Sequence, residues 1–356
     1  MANFERPMEI EIIRQSVRES MNPTPGKKKY DYWKEPLYCS DDVFQVRKAN
    51  DWMASDGQTQ KPRMLFDNFW FEGELCILFA DTNLGKSVLA VQLGNCIATG
   101  TSIEHYKVEV PASTVVYFDF EQSQLQFEAR YSGYRNAYSF SPNFYRAELN
   151  TAAGDVRNYL DRIHYSIEET VKNTKAKVLI IDNLTYLGNQ SGHAKEALNT
   201  MKFLKMLKSR YQISILALAH TPKRNPAKPI TNNDMQGSKM LINFCDSAFA
   251  MGRSRLDPKL RYLKQIKQRN ATELYGADRV CLFTLERNEN FIYLSPCGCE
   301  PEHKHLFEAV DITDNQILLQ IREWAVQGKS QREIARDLGI SRYHVAKAME
   351  GNVSVV

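Results

Sequence analysis

Between residues 65 and 294 short apolar runs alternate with longer segments in which apolar residues recur at helical spacing. The runs at 75–79, 114–120, 177–181 and 213–219 have the length and content of strands buried on both faces. The segments 88–99, 152–173 and 195–209 repeat their apolar positions with the period of a helix. Strand and helix taking turns in this way predicts an α/β fold, a doubly wound and mostly parallel sheet with helices on both faces, in which ligands sit at the carboxyl ends of the strands. Beyond it, 247–251 reads as another strand, 262–270 alternates as a half-buried strand with cationic tips, and 280–285 with 291–294 forms a hairpin-like ending. The last stretch changes character. Residues 314–326 carry apolar Ile317, Leu318, Ile321, Trp324 and Ala325, Ser330 and Glu333 form a capping box ahead of 331–338, and Gly339-Ile340-Ser341 turns the chain into 342–349. Three short helices are expected there, a small all-α unit.

The strand 75–79 runs into Ala80-Asp81-Thr82-Asn83-Leu84-Gly85-Lys86-Ser87 and then directly into the first helix, which is the layout of a P-loop. Backbone N–H groups from Asn83 to Lys86, together with the helix N-terminus, would surround a phosphate, Lys86 would reach the β- and γ-phosphates, and Ser87 would ligate Mg²⁺. Ala80 stands where the pattern expects a glycine. That substitution is compatible with the turn if φ is negative there and strained otherwise.

Three further strand ends carry candidate chemistry. Glu121 follows the run 115–120 and would polarise an attacking water, although a solvated loop acid has the same position. Asp182 closes four apolar residues, and a carboxylate there is costly to bury unless it meets a cation, so it is read as ordering Mg²⁺. His220 ends the run 214–219, beside the same site, as a γ-phosphate donor or a structural histidine.

The loop 221–229 is rich in proline and basic, and Lys223, Arg224 and Lys228 are candidates for a nucleic-acid backbone, against a plain surface loop. From 253 to 269 seven cations face only Asp257, a local field suited to phosphates, and Lys267 and Arg269 share one strand orientation, a fork for phosphate oxygens. In the terminal helices Arg342, Tyr343, His344 and Lys347 would form a DNA-reading face if the last helix enters the major groove; the alternative is a helical lid that only packs. Cys297, Cys299, His303 and His305 invite a zinc reading, but their spacings are tighter than those of zinc fingers, and a linker over 297–312 is preferred.

A net charge of +4 over 356 residues and 25% charged residues exclude the strongly acidic, fibrous and disordered classes. The first residues alternate acidic and basic groups where a leader needs an apolar core, so a cytoplasmic location is expected. Seven cysteines, three of them inside apolar patterns, argue against a disulfide framework. Residues 1–62, broken by Pro23, Pro25 and Gly26, form an arm, either folded on its own core or docked on a neighbouring subunit.

Taken together, the P-loop, Glu121, Asp182, the strand ending at His220, the Asn-Asp-Met-Gln-Gly-Ser segment at 233–238 and Lys267-Gln268-Arg269-Asn270 give residues 63–296 a resemblance to the RecA-like ATPase core. That core is shared by the hexameric replicative helicases of the DnaB and RepA type, with KaiC and RadA as more distant relatives. The resemblance implies a RecA-like fold with ATP and Mg²⁺ as cofactors, Glu121 activating water and His220 sensing γ-phosphate, where the DnaB type usually has Gln. It implies that Lys267 and Arg269 reach the neighbouring subunit's nucleotide in a homo-oligomer, a hexamer, and that the loops around 222–238 follow single-stranded DNA. The segment 313–356 resembles a helix-turn-helix, and an N-terminal helical domain of the DnaB kind is missing from the 62 preceding residues. The leading expectation is a ring-forming helicase or DNA remodeller of plasmid or mobile-element replication. The alternatives are a nucleotide-switched DNA-binding regulator or loader that unwinds nothing, and an ATPase that works without DNA.

Overall fold

The computed structural model describes residues 46, 48–53, 61–134, 136–150, 159–187, 194–222, 224–235, 238–307, 315–338, 340 and 342–349. The chain divides into two compact units, residues 1–61 and 62–356. In the first unit the described residues include one short helix, α1 (Ala49–Met53).

The second unit is built on a nine-stranded sheet among the described residues. Its strands are β3 (Leu75–Ala80), β4 (Val115–Asp119), β5 (Phe144–Glu148), β6 (Val178–Asp182), β7 (Ser214–His220), β8 (Ser247–Arg253), β9 (Leu260–Lys267), β10 (Val280–Asn288) and β11 (Phe291–Glu300). The spatial order is β11-β10-β9-β8-β3-β7-β6-β4-β5. Every pair from β8 across to β5 is parallel, and β8-β9, β9-β10 and β10-β11 are antiparallel. A two-stranded ribbon of β1 (Met64–Phe66) and β2 (Trp70–Phe71) precedes it. The doubly wound, mostly parallel architecture expected from the sequence is therefore the one observed.

Why β3 is central follows from its side chains. Cys76, Leu78 and Ala80 join one core cluster, with Leu89, Leu93 and Ile97 of the helix α2 (Lys86–Thr99). Leu75, Ile77 and Phe79 join the other, with Met201, Leu204 and Leu207 of α5 (Ala194–Tyr211) and with Ile163, Ile167 and Val171 of α4 (Tyr159–Thr174). Alternate residues thus serve opposite faces, and a strand covered on both sides has no use for polar positions. The helix α2 ends at Gly100, whose φ of 70° and whose approach to Ala112 leave no room for a Cβ. A short helix α3 (Gln124–Tyr131), capped by Ser123, follows β4, and α6 (Ser238–Phe244) leads into β8.

Three terminal helices, α7 (Asn315–Val326), α8 (Gln331–Asp337) and α9 (Arg342–Met349), form a small unit with its own core of Leu318, Ile321, Ile334, Ala335, Ile340, Val345 and Ala348. The expected capping box is present, with Ser330 and Glu333 exchanging hydrogen bonds. Lys329 lies 3.8 Å over the Trp324 ring where the chain leaves α7.

The expected linker over 297–312 is corrected in its first part. Cys297 to Glu300 continue β11, Cys299 lying in register with Cys281, and a short turn at Glu302–Lys304 packs back on the sheet. Residues 308–314 lie outside the described residues. Among the described residues no helix is long and apolar enough to cross a membrane.

Candidate nucleotide site

The carboxyl ends of β3, β4, β6 and β7 converge on the P-loop. Ala80 is a buried strand residue, in register with His220 on one side and Met251 on the other, and its φ is not positive. Alanine is therefore accommodated without strain. The left-handed positions fall later, on Asn83 (φ 61°) and Gly85 (φ 102°), the latter being the N-cap of α2. Only glycine adopts that second conformation without strain.

Lys86 is 6% exposed, and its ammonium is held by three acceptors. It donates to the carbonyl oxygens of Ala80 and Asp81, both at 3.0 Å, and to Nδ1 of His220 at 3.2 Å. Burial lowers its pKa, against the opposing pull of Asp182, Glu121 and Asp81. Because an ammonium can only donate, Nδ1 of His220 accepts and the ring proton sits on Nε2, 3.3 Å from Oε1 of Glu121. Asn183 donates its amide to the same carboxylate oxygen. The hydrogen bond from His220 is the main reason that Glu121 is held below the usual carboxylate range. A P-loop lysine and the expected water-activating acid are thus joined through one imidazole.

Asp182 is 1% exposed, and burial pushes its pKa up to about 6. Hydroxyls oppose that shift: Ser87 bonds to it, and Tyr117 donates to its Oδ2 at 2.7 Å. No ion pair among the described residues includes Asp182. A buried carboxylate partnered by hydroxyls and sitting beside the first helical turn has the donor chemistry that a hard divalent cation requires.

Behind Glu121 stands a support the sequence did not announce. Asp119, buried at the end of β4, accepts from the backbone N–H of Glu121 at 3.2 Å and of Gln122 at 2.9 Å. Arg146 of β5 donates Nε to Asp119 at 3.0 Å, one Nη to the carbonyl of Gln122 at 2.6 Å and the other to Glu148 at 2.7 Å. The turn bearing Glu121 is therefore clamped on both its amide and its carbonyl side. The signal available in the sequence was a second acid two residues before Glu121; nothing in it paired that acid with Arg146.

Lys267 and Arg269 are not part of this cluster. Lys267 is in register with Ala248, at the amino edge of the sheet and opposite the P-loop. Its ammonium caps the end of α6, donating to the carbonyls of Ile242 (2.5 Å) and Cys245 (2.7 Å), and burial lowers its pKa. Arg269 pairs with Asp246 at 3.3 Å. Within one chain, then, the expected fork for phosphate oxygens is not formed.

In the basic loop, Lys223 lies outside the described residues. Arg224, half-buried, donates to the carbonyl of Lys228 at 2.9 Å within the loop, while Lys228 itself is exposed. In α9, Arg342, Tyr343 and Lys347 are exposed and His344 is 7% exposed, so His344 is corrected out of the reading face. The four zinc candidates do not converge: Cys299 faces Cys281 at 3.8 Å, buried His305 contacts Ser254 at 2.9 Å, and His303 is exposed. Among the described residues no three His, Cys, Asp or Glu side chains gather to hold a metal ion.

Comparison with known proteins adds the following. The AAA domain family matches residues 42–226, just over half of the chain. Among solved structures, a KaiC-like protein, PH0186, from the hyperthermophilic archaeon Pyrococcus horikoshii OT3 is similar at 14% identity and a TM-score of 0.45, over 65% of this chain and 94% of that one. No curated protein matches.

Proposed function

The chain belongs to the AAA domain family, and from that premise we propose that it is a Mg²⁺-dependent ATPase acting on DNA, a ring-forming motor of the DnaB/RepA helicase type. One observation carries the nucleotide part: Lys86, Ser87, Glu121, Asp182 and His220 come from four strand ends and meet at one edge of the sheet. Ser87 and Asp182 would hold Mg²⁺, which when bound neutralises phosphate charge. Lys86, released from the carbonyls of Ala80 and Asp81, would take a phosphate oxygen instead. His220 follows Lys86, and Glu121, freed from the imidazole, accepts a proton from the attacking water.

Lys267 and Arg269 are assigned to the neighbouring subunit's nucleotide. Their place at the opposite edge keeps them from their own, and the Arg269 side chain is half exposed. Lys228, with Lys223 and Arg224, is the proposed contact to a single DNA strand in a hexameric ring. A second reading, a nucleotide-switched DNA-binding regulator or loader, is favoured by the terminal helices, which have a core of their own and present Arg342, Tyr343 and Lys347 outward.

The test has two arms. Glu121→Gln should keep ATP affinity and lower turnover by about 100-fold or more, whereas Lys86→Ala should abolish binding. Particle images with a non-hydrolysable analogue and an oligonucleotide, beside a strand-displacement assay, separate the motor from the regulator. A chain that stays monomeric with both ligands sinks the ring.

A further inference from the structure

Arg261 lies in β9, in register with Arg253 and at the P-loop end of the sheet. It is 7% exposed, yet all the acceptors of its guanidinium are neutral: Nε donates to the carbonyl of Leu84 at 2.9 Å, and Nη1 to the carbonyls of Pro258 (2.6 Å) and Leu260 (3.0 Å). None of the ion pairs among the described residues includes it. Burial, and after it the charge of Arg253, lowers its pKa, with Asp257 pulling the other way.

The bond to Leu84 matters because of what the next residue does. The peptide between Leu84 and Gly85 is trans, so its C=O and N–H point in opposite directions. Tying the Leu84 oxygen to β9 therefore turns the Gly85 N–H away from β9, and in a P-loop that N–H is one of those that surround a phosphate. Glycine at φ 102° is the residue at which this peptide plane could most easily rotate, since no side chain resists it. The neighbouring backbone is set by other means, Asn83 by its own left-handed turn and Lys86 by opening α2.

We propose that Arg261 is a positioning residue of the nucleotide site: it presets the Leu84-Gly85 peptide of the P-loop and lends the loop a buried positive charge that favours the di- and triphosphates of nucleosides. The proposal rests on the nucleotide reading above and assigns to a residue of the same chain a role distinct from the cross-subunit one of Lys267 and Arg269. Arg261 acts through the loop backbone, so its removal weakens ground and transition states alike. KM rises and kcat holds.

The experiment measures binding of fluorescent ATP and ADP, steady-state turnover and thermal stability on the full chain for wild type, Arg261→Gln, Arg261→Lys and Lys86→Ala. Arg261→Gln is expected to weaken both nucleotides by about 10-fold or more and to raise KM in step with kcat nearly unchanged. Arg261→Lys keeps the charge and the stem, and should recover most of that loss. Arg261→Gln that folds and binds within about two-fold of wild type overturns the proposal, as does Arg261→Lys that is folded and as weak as Arg261→Gln. If Arg261→Gln does not fold, Arg261→Lys decides alone: near-wild-type affinity supports the role of charge, and a loss of about 10-fold in a folded chain overturns it. A wild-type chain that binds neither nucleotide, matching Lys86→Ala, defeats the nucleotide reading itself and this inference with it.

Discussion

Replacing Arg146 by methionine asks whether the turn that carries Glu121 is held from the outermost strand. Methionine keeps an apolar stem against Phe127, over whose ring the guanidinium lies at 4.7 Å, and removes the charge and its three bonds. Asp119, whose side chain is 0% exposed, would be left with two backbone N–H donors and no cation. Breaking a buried pair from one side typically destabilises by about 3–5 kcal/mol. Here the Arg146 side chain is 16% exposed. Water therefore screens part of the interaction, and about 2–3 kcal/mol is the expected loss. For a unit of this size that lowers Tm by roughly 5–10 °C. The catalytic effect is separate. With the Gln122 carbonyl released, Glu121 loses its fixed distance to His220, and a displacement of about 1 Å at this proposed general base should lower turnover by up to about 100-fold. The hydrogen bonds, ion pairs and ring contact of Arg146 go to Asp119, Gln122, Glu148 and Phe127 and to no P-loop residue, so ATP affinity should stay within about two-fold. Turnover, nucleotide titration and melting on Arg146→Met decide the matter, with Asp119→Asn added in the same chain expected to restore part of the stability. Wild-type turnover despite the lowered Tm, or affinity falling in step with kcat, would refute the clamp.

Asp182 makes stability depend on pH in a definite sense. Its folded pKa, about 6, lies above that of an unfolded aspartate, so the folded chain holds a proton the unfolded chain releases; from this group stability rises as pH falls from 7 through 6 toward 4, by roughly 3 kcal/mol in full. Asp182→Asn should remove that slope in melting curves taken across the same range and be the more stable chain at pH 7. Glu302 is 1% exposed and paired with Lys264 at 2.5 Å while also accepting from the Ile230 N–H. Glu302→Gln, which keeps the shape and drops the charge, should lower stability by about 2–4 kcal/mol in denaturant titration. Ile321→Ala empties the small core of the terminal helices, for a loss of about 2–4 kcal/mol there. It should expose α7 to α9 to limited proteolysis without altering the melting of the sheet. Gly85→Ala has open space for a methyl group but a left-handed backbone, and should weaken nucleotide binding with at most about 1–2 kcal/mol of lost stability.

Much of this was readable because it is written in short range. The P-loop, the strand that precedes Glu121, those ending at Asp182 and His220, and the three terminal helices with their capping box announce themselves through period and punctuation, and the observed bounds follow them closely. What escaped depends on partners far apart in the chain. Phe144–Glu148 has the mixed exposure of an edge strand and shows no buried run, so β5 and with it Arg146 were invisible. Asn183 meets Glu121 across 62 positions, and Arg261 meets Leu84 across 177. The cluster from Cys297 to His305 read as a linker because its Cys and His spacings are too tight for a zinc finger, yet a bulge between Leu282 and Phe283 lets β11 run on to Glu300. His344 lies on a helix whose face is decided by packing, and the pattern of four polar residues could not say which one turns inward. Lys267 and Arg269 show the converse: a pattern with a phosphate-binding look whose partners inside one chain are a helix end and an aspartate.

Within one chain the two edges of the sheet differ in how their cations are matched, and that difference bears on where the chain's own ligand would sit. At the amino edge Lys208 and Arg269 both pair with Asp246, and Lys267 sits on the negative end of α6. Their charge is satisfied within the chain. At the carboxyl edge Lys86 and Arg261 are both more than nine-tenths buried and both donate to neutral groups, the carbonyls of Ala80, Asp81, Leu84, Pro258 and Leu260 and a ring nitrogen of His220. Holding two cations in that state is unfavourable, and burial depresses both pKa values accordingly. An anion accepting from either would relieve that penalty, and on the proposed reading Asp182 would hold a divalent cation beside it. A site that is strained toward a phosphate and a metal together binds the pair better than either alone, so ATP should bind more tightly with Mg²⁺ than without it, and Asp182→Asn should erase the difference in a titration run with and without the metal.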